Sequence, residues 1–123
     1  MLPRIIPLVK QLQGLQRSIQ DTTRKLDESS AKLSEGNGYT LQELQQRIDE
    51  LTNHQQHLTQ AFQSALEKLE SLGGVLKDLG KGLVDFYSVR DEGLIFLCWK
   101  IGEDRIRFWH PLEDGFAGRQ PLS

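Results

Sequence analysis

The sequence is poor in cysteine and in long apolar runs. Cys98 is the single cysteine among 123 residues, which excludes an internal disulfide framework and fits a reducing compartment. No stretch approaches the roughly 18 apolar residues that a membrane-spanning helix needs. The apolar start is interrupted by Pro3, Arg4 and Pro7, and no small-residue cleavage site follows, so it is not typical of a signal peptide. These absences predict a soluble cytoplasmic protein without a membrane partner.

An excess of charge of one sign is also missing. The sequence has 15 basic and 17 acidic residues and a formal net charge of −2. Because duplex-binding proteins carry a broad basic surface, this balance argues against nucleic acid as a partner. The residue spacings of metalloprotease, paired-cysteine zinc and phosphate-loop motifs are absent as well. The sequence therefore names no catalytic residue and no cofactor, and it leaves open whether the protein is an enzyme.

Glycine and aromatic residues are scarce in one half of the chain and frequent in the other. Residues 1–72 hold three glycines and two aromatic residues, whereas residues 73–123 hold eight glycines and seven aromatic residues. Because glycine interrupts helices, the shift predicts a helical half followed by a β-rich half with a glycine-rich tail. We place the boundary between the two domains at Gly73-Gly74.

Apolar residues in the first half recur at alternating steps of three and four, which is the pattern of a coiled-coil seam. The spacing predicts helices over residues 4–33 and 40–72, and Thr40 with Glu43 forms a capping box that opens the second helix. The segment between the helices is short, so they must fold back as an antiparallel hairpin. Because so thin a seam is marginal alone, we expect a homo-oligomer, with a dimer favoured, or a protein partner bound through the hairpin.

The second half predicts a small antiparallel β-meander. Its strand-like runs, bounded by turn-forming residues, cover residues 75–77, 83–87, 94–100 and 105–110. A three-residue loop at 102–104 would pair Cys98 with Phe108 and place His110 on the same face as Cys98. The predicted fold class is therefore α+β, a long antiparallel two-helix coiled-coil hairpin with the β-meander packed at its base.

A few side chains of the meander could carry chemistry. Cys98 and His110 would be diagonal neighbours. They could be core residues, a nucleophile with its base, or two ligands of a zinc ion. Core packing is the favoured interpretation for Cys98. Asp85 lies inside an otherwise apolar strand, where it needs water, a metal or an arginine, and an arginine is the expected partner. Arg119, in the glycine-rich tail, could clamp a phosphate or a carboxylate.

Four C-terminal segments resemble the bacterial domain of unknown function family 2203. These segments are residues 82–86, 97–103, 109–110 and 115–122. The resemblance covers nearly the whole chain, because that family also begins with long heptad-like helices, although an opening segment of its members is missing or diverged before Leu2. The family has no assigned activity. The resemblance implies motif positions at Asp78, Asp85, Cys98, Trp99, Glu103, Trp109, His110, Gly118 and Arg119.

Two functions fit these patterns. The first is an intracellular interaction or scaffold protein that self-associates through its hairpin. The second is a module on the meander that binds a small ligand or a metal, with or without catalysis. Arg119 would hold an anion there, and His110 with a carboxylate would handle a proton or a metal. The candidate ligand-binding residues are Asp78, Asp85, Glu103, His110 and Arg119.

Overall fold

The fold is α+β, with an antiparallel pair of helices followed by an antiparallel sheet. The computed structural model describes residues 2–35, 40–91 and 93–122. In chain order the elements are α1 (Leu2–Glu35), α2 (Leu41–Ser71), β1 (Gly74–Asp78), β2 (Leu83–Arg90), β3 (Gly93–Lys100), β4 (Phe108–Pro111), a 3-10 turn (Phe116–Gly118) and β5 (Gln120–Pro121). Among the described residues, neither helix has the length and apolar character that a membrane crossing requires.

The start of α2 is fixed by the predicted capping box. The backbone N–H of Glu43 donates to Thr40 Oγ1, and the backbone N–H of Thr40 donates to the Glu43 carboxylate, each over 3.1 Å. Two of the amides that a helix start leaves unpaired are thereby satisfied. Pro7 lies within α1 instead of opening it. The predicted breaker between the helices falls largely on residues 36–39, which lie outside the described part of the chain.

One compact unit consists of the helical stretch Gly14–Ser64. Two small polar residues of its seam, Thr22 and Ser29, are buried. Their hydroxyls each donate to a backbone carbonyl one turn earlier in α1, over 2.9 and 3.0 Å. The Gln55 amide of α2 donates to Thr23 Oγ1 of α1 over 2.8 Å. Polar seam residues are therefore hydrogen-bonded, within a helix or across the pair, as burial requires.

The other compact unit combines the first turns of α1, the last turns of α2 and the sheet. A shared core accounts for this unit, because buried apolar side chains come from all three parts. They are Ile5, Val9, Leu12, Ala65, Leu69, Val84, Phe86 and Trp99. The Gln13 side chain adds a hydrogen bond, donating to the backbone carbonyl of Leu79 over 3.0 Å.

The sheet is a meander in the order β1-β2-β3-β4-β5, and each neighbouring pair is antiparallel. Cys98 of β3 is paired with Phe108 of β4, as the sequence predicts. The predicted strand over residues 105–110 is wrong at its beginning, because β4 starts only at Phe108. The turn after β3 is shaped by Glu103, whose carboxylate accepts the backbone N–H of Lys100 over 2.7 Å.

Gly82 provides a test of how tightly the turn before β2 is packed. Its φ of +67° is left-handed, and a Cβ built there would lie 2.7 Å from Ile101 Cβ. We expect Gly82→Ala to lower the free energy of unfolding by about 3 kcal/mol, from backbone strain and from overpacking. Gly102→Ala is the control, because Gly102 has a φ of +101° but no atom within 4 Å of the added carbon.

Urea unfolding of the two variants separates these causes. Gly102→Ala should lose only the backbone part, about 1–2 kcal/mol. Equal losses in the two variants would show that the contact with Ile101 carries no energetic weight.

Candidate metal site on the sheet

Three chemically different side chains meet on one face of the sheet. Asp85 of β2 is opposite Cys98 of β3, and His110 of β4 is opposite Phe96, two residues before Cys98. Opposed residues and residues two apart point to the same face, so the three side chains converge. All three are buried, with relative exposures of 3%, 1% and 2% in that order. One donor atom from each, oxygen, sulfur and nitrogen, lies within 4.8 Å of the others.

A hydrogen bond joins Asp85 and His110. His110 Nε2 lies 2.9 Å from Asp85 Oδ2, and Nδ1 lies 2.8 Å from the carbonyl oxygen of Pro111. Because a carbonyl only accepts, Nδ1 carries a proton, and a second proton lies between Nε2 and the carboxyl group. The pair is then neutral overall wherever that second proton resides. The expectation that Asp85 pairs with an arginine is wrong, because the hydrogen-bond partner of its carboxyl group is His110 of β4.

Cys98 is held as a neutral thiol. Burial, and then the negative charge of Asp85, raises the pKa of the Cys98 thiol to about 11. A cysteine nucleophile needs a lowered pKa, so the raised pKa of Cys98 does not suit thiol catalysis.

A small cavity opens onto the three residues. Its volume is about 110 Å³, and Asp85, Cys98 and His110 all line it. The remaining wall consists of Lys77, Leu83, Asp114, Gly115 and Phe116. Since one water takes about 30 Å³ of liquid volume, the cavity has room for a few small groups beside the cluster.

An ion pair anchors the segment that forms part of this wall. Arg119 donates to both carboxylate oxygens of Glu103, over 2.9 and 3.0 Å. Its guanidinium also lies 3.9 Å from the ring centre of Phe108 and 4.6 Å from that of Phe116. Arg119 further approaches the backbone carbonyl of Cys98, at 3.4 Å. The tail is thereby fastened to the sheet beside the cysteine.

The structure distributes the sequence-predicted residues over three places. Asp85 and His110 are in contact, and Glu103 and Arg119 form a separate ion pair. Asp78 lies at the end of β1, where its carboxylate accepts the backbone N–H of Lys81 over 3.0 Å. This contact is typical of a turn-forming aspartate and does not join Asp78 to the cluster.

Sequence reasoning named none of the other wall residues as part of a site, and Lys77 and Phe116 show why. A signal for Lys77 existed, because Val75 is opposite Asp85 and the alternation of a strand puts Lys77 on the same face. It required the register between β1 and β2, which includes an irregularity between Leu76 and Asp78. Phe116 lies in a 3-10 turn, for which the sequence carries no periodic signal.

Comparison with known proteins identifies a family without giving an activity. A family model described as "Uncharacterized conserved protein (DUF2203)" matches residues 1–122. A search of curated proteins and a search of solved structures each gave no match. What the chain does must therefore be argued from its own residues.

The buried thiol leads to a prediction for the metal-free protein. We expect iodoacetamide to modify Cys98 slowly at pH 8, because the raised pKa leaves roughly a hundredfold less thiolate than an ordinary cysteine and burial blocks access. Mass spectrometry over time measures the rate, and the same reaction in denaturant is the control. The rate should rise as the pH approaches 11. Rapid modification of the folded protein at pH 8 would contradict this description of the site.

Proposed function

This chain belongs to the DUF2203 family of uncharacterized conserved proteins, and we propose that it is a metal-binding protein whose ion is held by Asp85, Cys98 and His110. One observation carries the proposal, namely three buried donor groups of different type within 4.8 Å of one another. Carboxylate, thiolate and imidazole are the three side-chain ligands that zinc uses.

The distances suit a tetrahedral ion. Bonds of about 2.0–2.3 Å from zinc to oxygen, nitrogen and sulfur put neighbouring ligand atoms roughly 3.3–3.5 Å apart. His110 Nε2 and Asp85 Oδ2 lie 2.9 Å apart, and all the donor atoms lie within 4.8 Å of one another. Shifts of side chains by about an ångström would bring all three atoms to bonding distance.

The surroundings of His110 also favour an ion. Metal-bound histidines generally use their other ring nitrogen to donate to a carboxylate or a backbone carbonyl, which fixes the ring. His110 already has this arrangement, because Nδ1 donates to the carbonyl of Pro111 and Nε2 faces the cluster. The required orientation therefore exists before any ion binds.

Charge balance supports a divalent ion of the zinc type. A metal displaces the proton of a coordinating thiol, so the ion would meet one thiolate, one carboxylate and one neutral imidazole. Two negative charges cancel a divalent cation, and the buried site then carries no net charge. A single sulfur ligand among nitrogen and oxygen favours borderline ions such as Zn²⁺ or Co²⁺ over Mg²⁺ or Ca²⁺.

Metal titration of the purified protein tests this function. We expect one Zn²⁺ or Co²⁺ per chain, and a Co²⁺ complex with the intense near-ultraviolet absorption of a cobalt–thiolate bond. Cys98→Ser should remove that absorption, and Asp85→Asn and His110→Gln should each weaken affinity more than about tenfold, since even outer-shell changes cost that much. The matched controls are His57→Gln and Asp104→Asn, because both residues are exposed.

Thermal unfolding without metal shows whether each variant is folded. Failure of the folded wild-type protein to bind either ion at micromolar concentration would refute the proposal. Equal weakening by the control variants would point to adventitious binding at the surface.

We also propose that the hairpin serves as a self-association element, so that the protein acts as a scaffold or interaction module. The supporting observation is the incomplete burial of its seam. Within the described residues of Gly14–Ser64, Leu44 is the one heptad leucine that is buried. Leu15, Leu26, Leu51 and Leu58 are half-buried, and Leu41 is 73% exposed. A second copy would cover such a seam, as in helical bundles.

Charge substitutions along α2 test self-association. We expect the wild-type protein to sediment as a dimer, and Leu41→Asp or Leu51→Asp to shift it to monomer, because a carboxylate in the seam would be buried without a partner. Leu41→Asp is the cleaner variant, since an acid in the first turn of a helix does not weaken the helix. Asn53→Asp adds the same charge at an exposed position and should leave the dimer intact. A monomeric wild-type protein would refute this second proposal.

A further inference from the structure

The cluster offers fewer ligands than a closed metal site needs. Structural zinc sites use four protein ligands, whereas sites with three keep one position for water or substrate. Among the described residues, the group able to hold an ion consists of Asp85, Cys98 and His110 alone. Asp114 lines the adjoining cavity but is not part of that group. The fourth position of a tetrahedral ion is thus left without a protein ligand.

The cavity is where this fourth position has room. All three ligand residues line the cavity, so an ion among them borders the open volume of about 110 Å³. Leu83 and Phe116 contribute apolar wall, which limits the water around anything bound there. A space of this size takes a water or a molecule of a few heavy atoms and excludes a peptide or a sugar.

The charged residues of the wall indicate what such a molecule is. Lys77 is the one cation among the described residues that line the cavity, and its ammonium group lies 4.6 Å from the ring centre of Phe96. Phe96 is opposite His110, so this contact holds the ammonium beside the site. A divalent ion with its three ligands has no net charge, and Lys77 adds a positive charge to the cavity wall. Asp114 is an exposed acid of the same wall, and its negative charge opposes that of Lys77.

We infer that the site binds a small anion, such as a short carboxylate or azide, with one atom on the open position of the ion and its charge directed toward Lys77. This inference rests on the proposed metal function. It makes the sheet face a ligand-binding site of the open type, in which the ion contributes binding energy and orients the anion.

The Co²⁺-loaded protein is the form in which to test it, because the visible spectrum of Co²⁺ reports the ligands around the ion. Titration with azide and with formate should each give a saturable change in that spectrum with one site per chain. Lys77→Gln should weaken azide binding about fivefold, the size of a partly exposed charge interaction, and leave Co²⁺ affinity unchanged. Asp114→Asn should strengthen azide binding, because it removes an opposing charge.

Lys81→Gln is the matched control, since Lys81 is an exposed lysine of the next turn and does not line the cavity in the described chain. Its azide affinity should equal that of the wild type. Failure of the wild-type protein to bind Co²⁺ would refute the metal function and the inference together. Co²⁺ binding with a spectrum that no anion changes would refute the inference alone, because the ion would then be closed off. Equal effects of Lys77→Gln and Lys81→Gln would also overturn it.

Discussion

The buried hydrogen bond between Asp85 and His110 sets the constraint on which the sheet depends. A carboxylate and an imidazole that are both buried need each other as hydrogen-bond partners, because burying either one alone would be costly in free energy. Their strands, β2 and β4, are not neighbours, and β3 lies between them. The bond therefore fixes the register of three strands at once, and a slip by one residue would move one partner to the opposite face.

Cys98 owes its position to the same constraint, because it lies on β3 between the two partners. The glycine-rich tail forms part of the cavity wall through Asp114, Gly115 and Phe116. Arg119 ties it to Glu103, and Gly118 permits the close approach, since a Cβ there would lie 2.7 Å from the Cβ of Asp114. Phe116, which supplies part of the cavity wall, also contacts the Arg119 guanidinium, 4.6 Å from its ring centre. The ion pair and the glycine thus shape the site without touching the three donor atoms.

Sequence patterns were sufficient for elements whose signal is local. Heptad spacing and the Thr40–Glu43 capping box locate the helices, and the turn length after β3 gives the pairing of Cys98 with Phe108. The pairing of Asp85 with His110 could not be predicted, because it depends on two strand registers together. The nearby arginines offered a simpler partner for the aspartate. The late start of β4 was also missed, because residues 105–107 have strand-like preferences but lie outside the strand.

In the metal-free site, the imidazole and the carboxyl group are already hydrogen-bonded, and this affects whether ion binding is coupled to folding. His110 is hydrogen-bonded through both ring nitrogens, and the thiol of Cys98 is kept protonated and therefore uncharged. A divalent ion together with the thiolate, the carboxylate and the neutral imidazole again has no net charge. Because both states would be neutral and hydrogen-bonded or coordinated, we expect the fold to persist without the ion, unlike that of a zinc finger, which unfolds without metal. A site that is already formed can take up and release an ion without unfolding, which suits a site that would present an ion to a small anion.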